Sequence, residues 1–371
     1  MRVPFIDLSR SVEKIKDRVT ASWTHVLDQT EFVGGPTVQK LEKSLEKKLG
    51  VDHFIACSNG TDALVVALQA LGVGPGMRVA VPNMTFWAPY EAIVLLGAIP
   101  VLVDINPNDL QMSLAEFKDG HKKFHFDAAV LVHLFGWASA ELEEYRSFCQ
   151  QESIILLEDG AQCFGVELNN ESVYAGATLA TVSFYPAKVF GGAGDGGGVM
   201  TQDPTLAEKV RALCNHGRAG HYTYDYVGWN ARMGGLNAHY LVHMLDEIDG
   251  FIASRRKAEE FYQNYFSDYP DLVRVVKAPD SIRSNGYLSV LESKNKSGDQ
   301  LAAGLMELGI GCARTYPQTL CQQPPAFKAL RTSDLRHSQA FAQRVVNLPL
   351  FAGITEDECL SSAQALLGIL K

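Results

Sequence analysis

Hydrophobic and polar positions alternate along the first 200 residues in a pattern that predicts short buried strands separated by amphipathic helices. Short apolar runs of this kind are typical of strands covered on both faces. They lie at 53–58, 78–82, 100–104, 127–133, 153–158, 181–185 and 198–201. Helical periodicity fills the intervals 10–30, 36–49, 63–71, 86–96 and 140–151. Strands that alternate with helices predict an α/β fold, with a mainly parallel seven-stranded sheet sandwiched by helices.

The pattern changes near residue 250. A charged helix around 254–257 is followed by a predicted strand at 287–292, a helix at 300–308 and a strand at 311–315. We therefore expect two domains, a large α/β domain over 1–250 and a smaller C-terminal α+β domain over 251–371.

Composition narrows the class of protein. The 371 residues carry a formal net charge of −9, which argues against general affinity for nucleic acid or an anionic membrane. Seven scattered cysteines without a Cys-x-x-Cys pair are typical of reduced thiols. No apolar run is long enough for a membrane span or a signal peptide core. We expect a soluble cytoplasmic protein.

One lysine stands in an unusual place. Lys188 follows the run Ser183-Phe184-Tyr185 and precedes a glycine-rich loop. A lysine amine held there can form a Schiff base with a carbonyl, although most lysines are solvated surface charges. Asp159 ends an earlier apolar strand. A carboxylate and an amine are what pyridoxal phosphate needs, for its pyridine nitrogen and its aldehyde.

A strand-turn-helix junction at Ser58-Asn59-Gly60-Thr61-Asp62 is a candidate phosphate site. Backbone N–H groups at a helix start bind anions, and Gly60 lets the chain turn tightly. The spacing is neither a Walker loop nor a dinucleotide fingerprint. Taken alone, the segment is better explained as a simple capped helix, with Asn59 or Thr61 as its N-cap, since such caps are common.

Four further residues suit the same chemistry, each with an ordinary alternative. Phe86 could stack on a cofactor ring or be a core aromatic, and Ser183 could bind phosphate or be a satisfied strand serine. Gln162 could contact a ring oxygen or be a polar helix residue. Asn230 lies in an aromatic-rich loop and by itself would be a turn residue.

Taken in order, these segments resemble the DegT/DnrJ/EryC1/StrS family of sugar aminotransferases, which are fold-type I pyridoxal phosphate enzymes. The resemblance covers nearly the whole chain. It rests on Phe32-Val33-Gly34-Gly35-Pro36, Asn59-Gly60-Thr61-Asp62-Ala63-Leu64, Glu158-Asp159-Gly160-Ala161-Gln162, Ser183-Phe184-Tyr185-Pro186-Ala187-Lys188, Gly194-Asp195-Gly196-Gly197, Gly228-Trp229-Asn230-Ala231-Arg232 and Asn347-Leu348-Pro349-Leu350-Phe351.

The resemblance implies a role for each candidate. Lys188 would form the covalent link to pyridoxal phosphate, Asp159 would pair with its ring nitrogen, and Gln162 would contact the ring oxygen. Gly60, Thr61 and Ser183 would bind the phosphate, and Phe86 would stack on the ring. Asn230 would bind the phosphate across a dimer interface, so a homodimer with shared active sites is implied.

The resemblance also implies a reaction. L-glutamate would give its amino group to the cofactor, and the resulting pyridoxamine phosphate would aminate a ketosugar attached to a nucleotide. The loop after the lysine looks more like that of family members acting at C3 of the sugar than at C4. Residues that could hold the substrate are His216, Arg218, His221, Arg232 and Tyr316. The four basic residues among them could equally be solvated loop residues.

Two other functions stay open, and three positions depart from the family's usual pattern. One function is a deoxysugar dehydratase, although such relatives lack the lysine; the other is a non-catalytic regulator. Gly160 replaces an alanine that the family often has, and Gly234-Gly235 replace an acidic helix start. Cys321 stands where members commonly carry a histidine, which leaves the substrate open.

Overall fold

The computed structural model describes residues 2–371. The helices are α1 Ser9–Gln29, α2 Pro36–Leu49, α3 Gly60–Ala70, α4 Trp87–Leu95, α5 Leu114–Phe124, α6 Leu142–Gln151, α7 Pro204–Cys214, α8 Gly235–Phe266, α9 Gly298–Glu307, α10 Arg336–Arg344 and α11 Glu356–Leu370. The strands are β1 His53–Cys57, β2 Arg78–Pro82, β3 Ile99–Val103, β4 Ala128–Val132, β5 Ile155–Asp159, β6 Glu167–Leu168, β7 Glu171–Ser172, β8 Ala180–Ser183, β9 Gly197–Thr201, β10 Arg218–Gly220, β11 Thr223–Tyr224, β12 Val273–Val276, β13 Ile282–Arg283, β14 Val290–Ser293, β15 Leu330–Arg331 and β16 Val345–Val346. Short 3₁₀ turns lie at Leu320–Gln322 and Pro324–Ala326.

The central sheet has eight strands in the order β1-β9-β8-β5-β4-β2-β3-β15. Only β9 runs against the others, because it pairs antiparallel with both β1 and β8. The expected α/β fold with a mainly parallel sheet is confirmed. Seven strands come from the first 201 residues as predicted, and the eighth is the two-residue β15, which pairs with β3 and which the sequence pattern did not indicate.

Local sequence explains why helix α3 starts at the carboxyl ends of the central strands. Helix α3 is apolar on nearly all sides and packs between the sheet and its neighbours, α4 and α7. Asn59 caps it by accepting a hydrogen bond from the backbone N–H of Asp62 at 2.8 Å. The carboxyl ends of β1, β2, β5 and β8 meet beside this helix start.

A second layer forms beyond α8. Strands β12, β14 and β16 make a three-stranded sheet that packs with α9 and α11 around a smaller apolar cluster. Helix α8 runs through residue 250 without a break, and the division of the chain at that point stays a prediction.

The strand predicted at 311–315 is wrong. Residues 311–315 form only an isolated bridge, between Ala313 and Asn347, because the backbone N–H of Thr315 donates instead to the Asn347 side chain at 2.8 Å. The same segment carries Thr315 and Tyr316 to the end of the central sheet.

No helix within residues 2–371 is long and apolar enough to cross a bilayer.

Candidate active site

A cavity of ≈ 770 Å³ opens at the carboxyl ends of the central strands. Eight of the residues that the sequence singled out line it together, although they come from five separate segments of the chain. These are Gly60, Thr61, Phe86, Asp159, Gln162, Ser183, Lys188 and Tyr316.

Lys188 presents a free amine to this cavity. Its backbone is fixed by a hydrogen bond from its N–H to the carbonyl of Tyr185 at 2.8 Å. The Nζ atom lies 5.1 Å from the centre of the Tyr287 ring, and within residues 2–371 no carboxylate lies within 4.0 Å of it. An amine that is not engaged in an ion pair is available to react with a carbonyl.

The glycine-rich loop after Lys188 is held by one amide side chain. Asn237, near the start of α8, accepts a hydrogen bond from the backbone N–H of Ala193 and donates one to the carbonyl of Asp195, both at 2.9 Å. A Cβ atom at Gly192 or Gly196 would lie 2.4 Å or 2.7 Å from this amide. The absence of a side chain at Gly192 and Gly196 therefore lets the loop approach Asn237. Asn237 itself lies just after Gly234-Gly235, the pair that departs from the family pattern.

Asp159 ends β5 and is buried. Its Oδ1 atom accepts a hydrogen bond from the backbone N–H of Ala161 at 2.9 Å and lies 3.5 Å from the Thr181 hydroxyl, while Oδ2 has no donor among the described residues. Burial raises the pKa of this carboxyl, against the lowering effect of the Ala161 N–H and the Lys188 charge. A cation placed against Oδ2 would favour the ionised form.

Gln162 and Tyr316 form a fixed pair on the opposite wall. The Gln162 side chain accepts from the backbone N–H of Phe135 at 2.6 Å and donates from Nε2 to the Tyr316 hydroxyl at 2.9 Å. The Tyr316 O–H is therefore free to donate into the cavity. Burial raises the pKa of this phenol, so it stays protonated at neutral pH.

The start of α3 and the end of β8 press together at the far end of the cavity. Gly60 approaches Ser183 so closely that a Cβ atom at Gly60 would lie 2.8 Å from the Ser183 Cβ. As the first two residues of the helix, Gly60 and Thr61 keep backbone N–H groups that the helix does not use. These groups and the helix dipole make this end suitable for a phosphate.

The structure shows the surroundings of Phe86 and of two residues that depart from the family pattern, Gly160 and Cys321. Phe86 is 59 % exposed, so it is a cavity wall and not a core aromatic. Gly160 makes room for Tyr174, whose ring carbon would lie 2.2 Å from a Cβ atom at Gly160 and whose hydroxyl donates to the Gly160 carbonyl at 2.9 Å. Cys321 is buried, and its backbone N–H donates to the Asn83 side chain at 2.9 Å.

Five predicted residues lie away from the cavity in this single chain. They occupy the exposed segment 216–232, which contains the β10-β11 hairpin: His216, Arg218, His221, Asn230 and Arg232. Arg232 donates to the Asn230 side chain at 2.7 Å, so these two form one polar unit on the surface.

The sequence profile of the DegT/DnrJ/EryC1/StrS aminotransferase family matches residues 13–366. The chain belongs to this family.

Similar proteins agree with that assignment. The chain is 30 % identical over 359 residues to the UDP-N-acetyl-3-dehydro-alpha-D-glucosamine 3-aminotransferase of Acidithiobacillus ferrooxidans, covering 96 % of this chain and 95 % of the relative. It is 32 % identical over 361 residues to a protein of Geobacillus stearothermophilus named pleiotropic regulatory protein, with 96 % of each chain covered. The crystal structure of S. venezuelae DesV in complex with a ketimine intermediate superposes with a TM-score of 0.94, at 28 % identity, over 100 % of this chain and 99 % of that chain.

This aminotransferase uses pyridoxal phosphate, and its cavity fits that group on three independent observations. The Asp159 Oδ2 atom has no donor among the described residues. The Lys188 amine has no carboxylate partner there. The start of α3 packs so tightly on Ser183 that only glycine fits at position 60.

Among the residues of the cavity wall that sequence reasoning missed are Tyr287 and Arg255. The charged run at 254–257 indicated a solvated helix face. In the structure Arg255 is only 4 % exposed, because Leu350 and Gly286, distant in sequence, fold over it. No local signal marks it, since burial of a single residue in a charged run depends on segments 30 to 100 residues away.

Proposed function

We propose that this aminotransferase moves an amino group from L-glutamate to C3 of a ketosugar carried on a nucleotide, giving an amino sugar nucleotide. The observation that carries the proposal is the placement of Lys188 and Asp159 in one cavity with the start of α3. The relative from A. ferrooxidans, whose name gives a 3-dehydro sugar nucleotide as its substrate, supports both the substrate class and the C3 position.

Each residue of the cavity then has a task. Pyridoxal phosphate supplies an electron sink to the bond that breaks. Asp159 would hold a proton at the ring nitrogen, and the helix N–H groups of Gly60 and Thr61, with the Ser183 hydroxyl, would hold the phosphate. The Lys188 amine would take the proton from the donor's α-carbon, and such general base catalysis is worth about 10²–10⁴-fold.

Gln162, Tyr316 and Phe86 would orient the ring. Gln162 is fixed by Phe135 and by Tyr316, so its amide and the free Tyr316 O–H face the cavity in set directions. Phe86 would cover one face of the ring and exclude water from it. We propose Tyr316 as a substrate contact as well, because its hydroxyl remains protonated and able to donate.

We propose that the enzyme works as a homodimer with shared sites. The segment 216–232 exposes large apolar side chains, among them Val227 at 89 % and Tyr222 at 78 %, close to Asn230 and Arg232. Exposed apolar groups clustered beside polar ones are typical of an interface. Burial of this segment against a second copy would bring Asn230, Arg232, His216, Arg218 and His221 toward the partner's cavity.

The test is the absorption spectrum of the purified protein before and after L-glutamate, followed by product analysis. We expect the wild type to show the absorption band of a cofactor joined to lysine, and L-glutamate to convert that band in the wild type and not in Lys188→Ala. The converted enzyme is then offered UDP-linked 3-keto and 4-keto sugars, and the amino sugar products are identified by mass spectrometry.

The outcomes separate the proposal from its alternatives. Amination of the 4-keto sugar alone would contradict the C3 assignment, and loss of water without amino transfer would indicate a dehydratase. Conversion with another amino acid and not with L-glutamate would contradict the donor. A wild type that takes up no pyridoxal phosphate at all would favour the regulatory role named for the G. stearothermophilus relative.

A further inference from the structure

Arg255 lies near the middle of α8 and lines the same cavity as Lys188. It is 4 % exposed. Its Nη1 atom donates to the carbonyl of Leu350 at 3.1 Å, but Nε and Nη2 donate to no acceptor within residues 2–371. A buried guanidinium with two unused donor nitrogens has capacity for a ligand.

The charge of Arg255 is also unmatched. Within the described residues no carboxylate lies within 4.0 Å of its guanidinium. Burial lowers its pKa to about 10, partly offset by the Tyr287 hydroxyl, so it remains cationic at neutral pH. Arg146, another largely buried arginine, shows the usual arrangement, with two bonds to the Glu158 carboxylate at 2.8 Å and 2.9 Å. Since an uncompensated buried charge is costly, the Arg255 site calls for an anion.

Three carboxylates line the cavity, those of Asp62, Asp159 and Asp195, and none lies within 4.0 Å of the Arg255 guanidinium. Asp62 is engaged by the Ser58 hydroxyl and the Asn59 amide, and Asp159 accepts at Oδ1 from the Ala161 N–H. Tyr287 neighbours both Arg255 and the Lys188 amine, whose Nζ lies 5.1 Å from the ring. Only the Tyr287 ring therefore separates Arg255 from the Lys188 amine. The helix start suited to phosphate is formed by other residues, Gly60 and Thr61.

We propose that Arg255 binds a carboxylate of the amino-acid donor. The planar guanidinium, with Nε and Nη2 free on one edge, matches the two oxygens of a carboxylate. This inference rests on the proposed function, because it supplies the group by which an amino acid would be recognised there. Arg255 binds the donor and not the nucleotide, because a side chain only 4 % exposed at the cavity wall is accessible to a small anion.

The test compares Arg255→Met and Arg255→Lys with Lys257→Met, which removes the same charge two positions further along α8 from an exposed residue. Glutarate, which cannot react, is titrated into each holoenzyme by calorimetry. We expect Arg255→Met to weaken glutarate binding by roughly 30- to 5,000-fold, the range for truncating one partner of a buried charge pair. Arg255→Lys should retain part of the affinity, and Lys257→Met all of it.

Two amines identify which carboxylate is held. L-alanine carries only the α-carboxylate, and γ-aminobutyrate only the distal one. The rate of the amino-donor half-reaction should fall in Arg255→Met for the amine whose carboxylate Arg255 holds, and stay unchanged for the other. The cofactor absorption band reports whether each variant is folded, and Arg255→Lys serves if Arg255→Met does not fold.

The results separate this inference from the proposed function. Glutarate affinity within about twofold of wild type in a folded Arg255→Met would overturn the inference even if L-glutamate converts the wild type. Weaker binding of UDP in place of glutarate would overturn it too. If glutarate binding depends on Arg255 while L-glutamate does not convert the wild type, the carboxylate site stands and the proposed donor is wrong.

Discussion

Replacing Gly60 by alanine should damage the phosphate end of the cavity specifically. The new Cβ would lie 2.8 Å from the Ser183 Cβ and 3.1 Å from its Oγ. Ordinary carbon contacts begin near 3.4 Å, so helix α3 or strand β8 must move by about 0.6 Å. Overpacking of this size costs about 1–3 kcal/mol. If the movement disturbs the helix N–H groups, pyridoxal phosphate should bind roughly 5- to 150-fold more weakly.

The assay is an absorbance titration of the apoenzyme with pyridoxal phosphate and, separately, with pyridoxal. Gly60→Ala should weaken binding of the phosphorylated form and change that of pyridoxal little. Ser183→Gly removes the Cβ that the alanine meets and Ser183→Ala keeps it, while both remove the hydroxyl assigned to the phosphate. Gly60→Ala combined with Ser183→Gly should therefore bind pyridoxal phosphate more tightly than Gly60→Ala combined with Ser183→Ala. Equal weakening for both cofactor forms would refute the assignment of this end of the cavity to phosphate.

Four further outcomes are expected. Asp159→Asn should slow the L-glutamate half-reaction by about 10³-fold, because opposite charges about 4 Å apart are worth roughly 4 kcal/mol at an effective dielectric of 20; stopped-flow absorbance measures this, and a change under tenfold would contradict it. Asn237→Ala, which removes both hydrogen bonds to the loop after Lys188, should weaken cofactor binding by about 5- to 150-fold, the equivalent of about 1–3 kcal/mol, with melting of the apoenzyme little altered. Equal amounts of Lys188→Ala and Asn230→Ala subunits, inactive alone and refolded together, should regain about one quarter of wild-type activity, since half of the dimers have one intact site; no recovery would mean that Asn230 serves its own chain. Burial raises the pKa of Glu259 from 4.5 to about 7, so its contribution to stability is full below pH 4.5 and is lost as pH rises to about 7; Glu259→Gln should flatten urea-unfolding stability over that window and raise it at pH 8.

The sequence was sufficient for those parts of the site that lie at junctions between elements. Gly60 and Thr61 follow a strand and open a helix, Asp159 ends a strand, and Lys188 comes just after another. The ends of strands and the starts of helices are set by local sequence, so the pattern of apolar runs is enough to locate these residues. The fold class followed for the same reason.

The remainder depends on contacts between distant segments. Arg255 reads as part of a solvated charged run, and only the approach of Leu350 and Gly286 buries it. The two-residue strand β15 has no pattern of its own and exists because β3 offers it an edge. Residues 311–315 are apolar enough for a strand, but their backbone pairs only at single points, where the Gly311 N–H donates to the Val3 carbonyl and Ala313 bridges to Asn347.

Helix α8 joins two parts of the site through a single rigid element. Asn237, which holds the loop after Lys188, and Arg255 lie 18 positions apart on it, a separation of about 27 Å along its axis. Insertion of one residue between them would rotate Arg255 by about 100° about that axis and turn it out of the cavity. We therefore expect natural or engineered relatives to show no insertions or deletions between these two positions of the helix.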